Sequence, residues 1–407
     1  MMEITGRYAT AICYAKEIEP GAEEQIREMC NLPFTEGSRV RIMPDVHAGK
    51  GCTIGTTMTV TDKVVPNIVG VDIGCGMYTV PLGMKEVEMD LPRLDEAAHF
   101  IPSGHNVWEG RAERFDITRL RCYRHLKDAR RLERSLGTLG GGNHFMEVDV
   151  SEEGEAYLVI HSGSRNLGKQ VAEHYQSLAV DLNIGKEEYF RRREEIIRTY
   201  KEEGRRSDIQ AALRAMEATF KAVEPTVPAE LCHLYGKFLE DYLHDVEICQ
   251  AFARRNRERM AEILMERGGL VPHPERAAFH TVHNYIDTEE RILRKGAIAA
   301  HKGETVLIPL NMRDGSILAV GRGNPDWNFS APHGAGRLIS RGRAREELDM
   351  ETYRTAMAGI YTTSVCEGTL DEAPMAYKSA ADILDVIAET VDIVEVLKPI
   401  YNFKATT

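Results

Sequence analysis

Five short blocks set a histidine, cysteine or aspartate beside glycine: VGVDIGCGM (70–78), LGGGNHF (139–145), VIHSGSR (159–165), VHNY (282–285) and APHGAGR (331–337). Only a folded site brings soft thiol and imidazole ligands together from positions so far apart, so the set points to a metal-dependent enzyme. Asp72 and Cys75 sit in a glycine-rich turn, where a carboxylate and a thiolate three residues apart can reach one metal or bridge two. Asn143 and His144 follow three glycines and offer a neutral amide for a phosphate oxygen and an imidazole for a metal. His161 ends an apolar run before Ser162-Gly163-Ser164-Arg165, and such an arginine can clamp a phosphate. His283 repeats the pattern beside Asn284 and Tyr285, whereas His280 reads as a helix cap or surface residue. His333 differs. Gly334, Ala335 and Gly336 let a large group approach the backbone, at what the pattern reads as a helix N-terminus, with Arg337 one turn on. A neutral imidazole there can attack phosphorus and form a phosphoramidate.

Each block alone has a plainer reading: a strand-end turn with a buried cysteine, a core histidine, a surface arginine. Together they point to a metal–phosphate site. Asp45 and His47 in MPDVH add an acid and an imidazole. The D-x-H, G-N-H and later histidines also fit a dinuclear metal-dependent phosphoesterase acting on nucleic-acid phosphate ends, which is the alternative function. Phe145 stands where those enzymes usually place an acid.

The elements that must position these residues follow from composition. Residues 1–85 read as strands and turns, with VRIMPDVH, CTIGTTMTV and NIVGVDIG as β-branched runs broken by glycine. TRLRCYRHLKDARRLERSL (118–136) has helical spacing, and YLVIHSGS (157–164) reads as a buried strand ending in a turn. From about 166 to 268 the chain is charged, rich in Ala and Leu and poor in glycine, a helical block with Pro225 and Pro228 marking a break. VLIPL and SILAVGRG are strands; HGAGRLISRGRAREEL is a glycine turn into a helix; the tail is a helix with a short extended end. Ligand candidates lie on both sides of the helical block. The expected fold is therefore mixed α/β (α+β), one compact domain over residues 1–407 with a helical insertion at about 166–268.

The chain has 407 residues, 43% hydrophobic and 28% charged, as in ordinary globular proteins. No apolar run is long enough to span a membrane, and the N-terminus lacks a signal-peptide core, so a cytoplasmic location is expected. Eight scattered cysteines with no C-x-x-C pair argue against a disulfide framework. The net charge of −12 disfavours nonspecific nucleic-acid binding but leaves room for a local basic groove, with Arg337, Arg341, Arg343 and Arg345 clustered after the last block. The runs Arg191–Arg193 and Arg254, Arg255, Arg257 and Arg259 read as solvated helix faces.

These residues resemble the RtcB family of RNA-splicing ligases. The carriers are MPDVHAGKG (43–51), VGVDIGCGM, LGTLGGGNHFMEV (136–148), HSGSR, HNY, HGAGR with a following SR, and PMAYK (374–378). They occur in order over most of the chain. The resemblance implies a GTP- and Mn²⁺-dependent ligase of RNA repair or tRNA splicing. It would join a 2′,3′-cyclic phosphate or 3′-phosphate end to a 5′-hydroxyl end, at times with a small accessory protein, archease. It implies that Cys75 bridges two Mn²⁺ ions, with His161 and His283 on one and Asp72 and His144 on the other. His333 would take GMP from GTP, with Asp45, Arg165 and Arg337 as further catalytic groups. Asn143, Glu147, Asn311 and Lys404 would bind the nucleotide, together with Gly334, Ala335, Gly336 and Tyr377. Many members carry P-G-S-M-G where this chain has Pro309-Leu310-Asn311-Met312-Arg313, and this chain runs past Lys404 as Ala-Thr-Thr.

Overall fold

A computed structural model describes residues 1–110, 113–221, 223–224 and 226–405. Two twisted sheets dominate it. One has six strands in the order Met2–Thr5, Thr10–Cys13, Val40–His47, Ile54–Thr59, Ile292–Lys295 and Asn284–Asp287. The other has seven: β1 (Gly76–Pro81), β2 (Phe145–Val150), β3 (Ala156–Ser162), β4 (Phe279–Val282), β5 (Thr305–Asn311), β6 (Gly315–Gly321) and β7 (Val391–Lys404). Their order in space is β4-β1-β3-β2-β7-β6-β5. The backbone N–H of Leu307 on β5 donates to Thr281 Oγ1 on β4 at 3.1 Å, so the two edges meet. The sheet thus curls around Met77, Phe145, Val159, Leu307, Leu318 and Leu397.

Strand periodicity explains which residues reach the site. On β2, Met146 and Val148 face outward into a core shared with Leu158, Ile160, Met260 and Leu264. Phe145, Glu147 and Asp149 take the opposite face, inside the curl. The outer face is covered by α4 (Gly236–Gly268), a 33-residue helix closed by Gly269 in the left-handed region (φ +76°). Burying a side chain such as Leu264 contributes about 1.5–3 kcal/mol, and this face buries many.

The helical block contains α1 (Arg165–Asn183), α2 (Glu187–Glu202), α3 (Ile209–Glu217) and α4. The first and last are built into the core, whereas α2 and α3 bury no residue. Pro225 lies outside the described residues. No helix among those described is long and apolar enough to cross a membrane.

Several local expectations are corrected. Residues 20–30 form a helix, started by Pro20 in its first turn. NIVGVDIG is a short helical turn at Pro66–Val69 and a loop, because Gly70 (φ +95°) stops regular structure. Residues 118–136 hold only two 3₁₀ turns and the helix Ala129–Glu133, since Asp245 of α4 accepts the backbone N–H groups of Arg121 and Cys122 and pins that stretch as a loop. His280 is on β4, stacked on Tyr78 with centroids 4.3 Å apart. The tail inverts the expected proportions: a helix at Ala380–Ile387, then the 14-residue β7, held between β2 and β6. No helix begins at His333, which follows the strand Ser330–Pro332; the next helix starts at Arg341, capped by Ser340. Arg257 is not on a solvated face. It is 1% exposed, and its Nη1 donates to the carbonyls of Gly74 and Ser162, each at 2.7 Å.

Candidate active site

The blocks meet where β1, β3 and β4 end. Cys75 is the residue before β1, His161 is near the end of β3, and His283 follows β4. Cys75 Sγ lies 3.3 Å from His161 Nε2 and 3.5 Å from His144 Nε2. His161 Nε2 is 3.4 Å from His283 Nε2, and His144 Nε2 is 3.0 Å from Asp72 Oδ2. Two triads result, Cys75–His161–His283 and Asp72–Cys75–His144, whose donor atoms lie within 4.8 Å of one another.

Backbone carbonyls set the proton positions. His161 Nδ1 is 3.0 Å from the Asn143 carbonyl and His144 Nδ1 is 2.9 Å from that of Leu139. A carbonyl only accepts, so each Nδ1 carries a hydrogen; in His161 this leaves the Nε2 lone pair free, while His144 Nε2 is turned to the Asp72 carboxylate. Burial, then neighbouring imidazoles, pushes the pKa of His161 and His283 well below the usual histidine range, so both are neutral. Burial opposes ionisation of Asp72, but the hydrogen bond and charge of His144, with Arg165, hold its carboxyl below the ordinary value. Burial and the Asp72 carboxylate push the Cys75 thiol well up. Cys75, His161, His283 and the Asp72–His144 pair thus bring their ligand atoms together around one sulfur. A divalent cation supplies the missing positive charge, so these donors fit a metal. Arg257 stands behind the cluster, lowered by burial to about 10 and still charged at neutral pH.

The glycines have specific reasons here. A Cβ on Gly163 would lie 2.2 Å from Asp72 Oδ1, and one on Gly140 (φ +92°) would lie 2.0 Å from Arg165 Nη1. Arg165 itself is left-handed (φ +59°), a strain of about 1–2 kcal/mol, offset by its bonds to Thr138 Oγ1 (3.1 Å) and the Gly104 carbonyl (2.8 Å).

On one side of the cluster opens a cavity of about 280 Å³. His333 lines it, with its ring centroid 5.1 Å from that of His283. His333 Nδ1 is 2.7 Å from Asp45 Oδ2, and Asp45 is fully buried.

A family model described as "tRNA-splicing ligase RtcB" matches residues 25–120 and 116–405. The chain belongs to the RtcB family. RNA-splicing ligase RtcB of Escherichia coli (strain K12) is 30% identical, covering 93% of this chain and 92% of its own. The tRNA-splicing ligase RtcB of Thermococcus kodakarensis is 26% identical over 95% of this chain and 92% of its own, and that of Aeropyrum pernix 27% over 85% and 83%.

Asn143, Glu147, Asn311 and Lys404 line the His333 cavity, as do Gly334, Ala335, Gly336 and Tyr377. Arg165 does not; it lines a second cavity of about 720 Å³ beyond Asp72, with Arg131 and Lys169. Arg337 lines the first cavity, but its donors already serve Tyr377 Oη (3.1 Å), Glu372 Oε1 (3.3 Å) and the Asp371 carbonyl (2.5 Å). Asn311 is tied to Asp314 at 2.8 Å.

Sequence reasoning missed Glu372, Asn402 and Arg257. Glu372 is 2% exposed and pairs with Lys404, Arg337, Arg341 and the Tyr377 hydroxyl. Burial opposes its charge, yet Lys404 and Arg341 bring its pKa down to about 2. Its signal was an acid two residues before the PMAYK block. Asn402 Nδ2 donates to Glu147 Oε2 at 2.5 Å, and nothing local in sequence marks that pair.

Proposed function

We propose that this RtcB-family ligase joins an RNA 2′,3′-cyclic phosphate or 3′-phosphate end to a 5′-hydroxyl end, using GTP and Mn²⁺ through a guanylyl-histidine at His333. The observation that carries the reading is the His333–Asp45 pair. A buried carboxylate at 2.7 Å takes the Nδ1 hydrogen, which leaves the Nε2 lone pair as nucleophile beside the metal-ligand cluster.

Nε2 forms a bond to the α-phosphorus of GTP as the P–O bond to pyrophosphate breaks. Asp45 steadies the ring as it gains positive charge. Two Mn²⁺ ions, one on Cys75, His161 and His283 and the other on Asp72, Cys75 and His144, would neutralise phosphate charge. Water opens the RNA cyclic phosphate to a 3′-phosphate. An oxygen of that phosphate attacks the histidine-bound GMP, and the N–P electron pair returns to His333. The 5′-hydroxyl oxygen then attacks the activated 3′ phosphorus and GMP leaves. Within the His333 cavity, Glu147, Asn402 and Lys404 form the wall suited to a base edge, and Gly334 to Gly336 allow phosphates near the backbone. Arg165, Arg131 and Lys169 give the second cavity the charge to hold RNA phosphates on the far side of Asp72.

The test is incubation with Mn²⁺ and α-³²P-GTP, then denaturing electrophoresis with acid and alkali treatment. An acid-labile, alkali-stable label that vanishes in His333→Ala, with metal content retained, is expected. Persistent label in that variant sinks the nucleophile assignment. Absence of label in the parent protein, with hydrolysis of cyclic-phosphate ends, moves the function to the metal-dependent phosphoesterase.

A further inference from the structure

Residues 119–131 carry six basic side chains and one acid, Asp128, in a chain whose net charge is −12. That acid serves its own segment: the Asp128 carboxylate accepts the Arg131 backbone N–H at 3.2 Å. Leu120, Cys122 and Leu132 are buried and anchor the stretch, whereas Arg119, Arg121, Arg124, Lys127, Arg130 and Arg131 are all exposed. The backbone is fixed by the helices beneath it. Asp245 of α4 takes the N–H groups of Arg121 and Cys122. Gln170 of α1 accepts from the Lys127 N–H at 2.7 Å and donates to the Lys127 carbonyl at 3.2 Å. The segment therefore keeps its shape without using its cations.

Elsewhere on the surface, arginines are answered by acids close by in sequence: Arg191 and Arg192 by Glu188, Arg254 by Glu258, Arg343 by Glu347. Among the described residues, the side chains of Arg119, Arg124, Lys127 and Arg130 enter no ion pair or hydrogen bond. Arg121 has one loose pair, 3.9 Å from Asp241, and Arg131 donates only to the neutral carbonyl of His105, at 2.5 Å. Like charges left without countercharges repel one another, and a polyanion laid across them relieves that repulsion while releasing its own counterions. The stretch leads into the second cavity, which Arg131 and Leu132 line together with Arg165 and Lys169. Two rings stand among the cations: Tyr123, half-buried, and the exposed His125, stacked on His174 with centroids 4.4 Å apart. Cations interleaved with rings suit a nucleic-acid strand better than an acidic peptide, because bases add stacking to the phosphate contacts.

We propose that residues 119–131 form a track for the phosphate backbone of single-stranded RNA, which leads the strand's end into the second cavity beside Asp72. The inference rests on the reading of that cavity as the place of RNA phosphates. Only an unpaired end can enter a cavity of about 720 Å³, so the strand is single there. The track adds affinity for long strands and takes no part in the chemistry at His333.

The test compares the parent protein with the triple variant Arg124→Gln/Lys127→Gln/Arg130→Gln and with the charge-keeping Arg124→Lys/Arg130→Lys, all loaded with Mn²⁺. Binding of single-stranded RNA of about 20 nucleotides, and of about three, is measured across a salt series without GTP, so that no ends are joined. The glutamine variant is expected to bind the long RNA about 10- to 100-fold more weakly at about 0.1 M salt. Its slope of log affinity against log salt should be shallower by about 2, from three lost contacts at about 0.7 each. The short RNA should bind within about twofold of the parent, because it reaches the cavity alone. The lysine variant should keep the parent slope, and the melting temperature and GTP labelling of the glutamine variant should match the parent's. Unchanged affinity and slope for the long RNA overturn the proposal, as does an equal loss for the short RNA or a loss in the lysine variant. A polyglutamate peptide bound as tightly as the long RNA, and weakened equally in the glutamine variant, overturns it in favour of an acidic protein partner. Absence of GTP label in the parent sinks the guanylyl-transfer reading instead, and the RNA comparison still stands because it is made without GTP.

Discussion

Two buried polar clusters border the same cavity and are built on opposite plans. Around Glu372, one carboxylate meets Lys404, Arg337, Arg341 and the Tyr377 hydroxyl, so its charge is answered by the chain itself. Around Cys75, three imidazoles and a carboxylate crowd one thiol, and Arg257 behind them spends its Nη1 on the Gly74 and Ser162 carbonyls. The first cluster supplies its own countercharge, and the second offers donors that fit a cation. Burial is alike in both. What separates a structural cluster from a ligand site is whether the chain supplies the complementary charge.

That contrast can be broken experimentally. Cys75→Ala removes the atom common to both triads, so bound Mn²⁺ should be lost; unchanged metal content by elemental analysis would remove the bridging-thiolate idea. His333→Ala, by comparison, should keep its metal, because His333 belongs to neither triad.

Glu372→Gln tests the self-complete cluster. Removing one partner of a buried pair costs about 3–5 kcal/mol, read as a lower denaturation midpoint with metal content intact. The pH dependence has a definite sign. The folded carboxyl of Glu372 sits at about 2, below its ordinary value, so its contribution is full above the ordinary carboxylate range. It is lost as pH falls toward 2, and the stability gap between parent and Glu372→Gln should narrow with acidification. A gap independent of pH from neutral to acid would mean that packing, not charge, holds this wall.

The smallest effect belongs on α2. Arg192 pairs with Glu188 on a helix that buries nothing, both side chains about half exposed or more. Arg192→Ala should leave the melting temperature and the metal content unchanged. A clear shift in either would show that the outer helices are coupled to the site.

Much of the site was legible because its chemistry sits in glycine-flanked blocks. Asp72, Cys75, His144, His161, His283 and His333 could all be singled out by residue type beside a turn, and they do come together. Elements with clean periodicity were legible too, including β3, β5, β6 and most of the helical block. The 118–136 stretch misled because its helical spacing yields to Asp245, which takes its backbone N–H groups from far along the chain. Arg257 misled because an arginine in a charged run carries no local sign of facing inward. The tail misled because the pairing of β7 with β2 and β6 overrides a helix-like composition.

The sequence by itself determined which atoms could do chemistry: one thiol, several imidazoles, and the small residues that let Asp72 and Arg165 pass close to backbone. Those are local facts of residue type and backbone freedom. Only the tertiary structure decided which carbonyls face His144 and His161, the division between two cavities, and the partners of Glu147 and Glu372. Apart from the Leu139 carbonyl five residues before His144, these depend on a carbonyl, amide or charge brought in from a segment distant in the chain, and electrostatics within a few ångströms is set by neighbours in space, not in sequence.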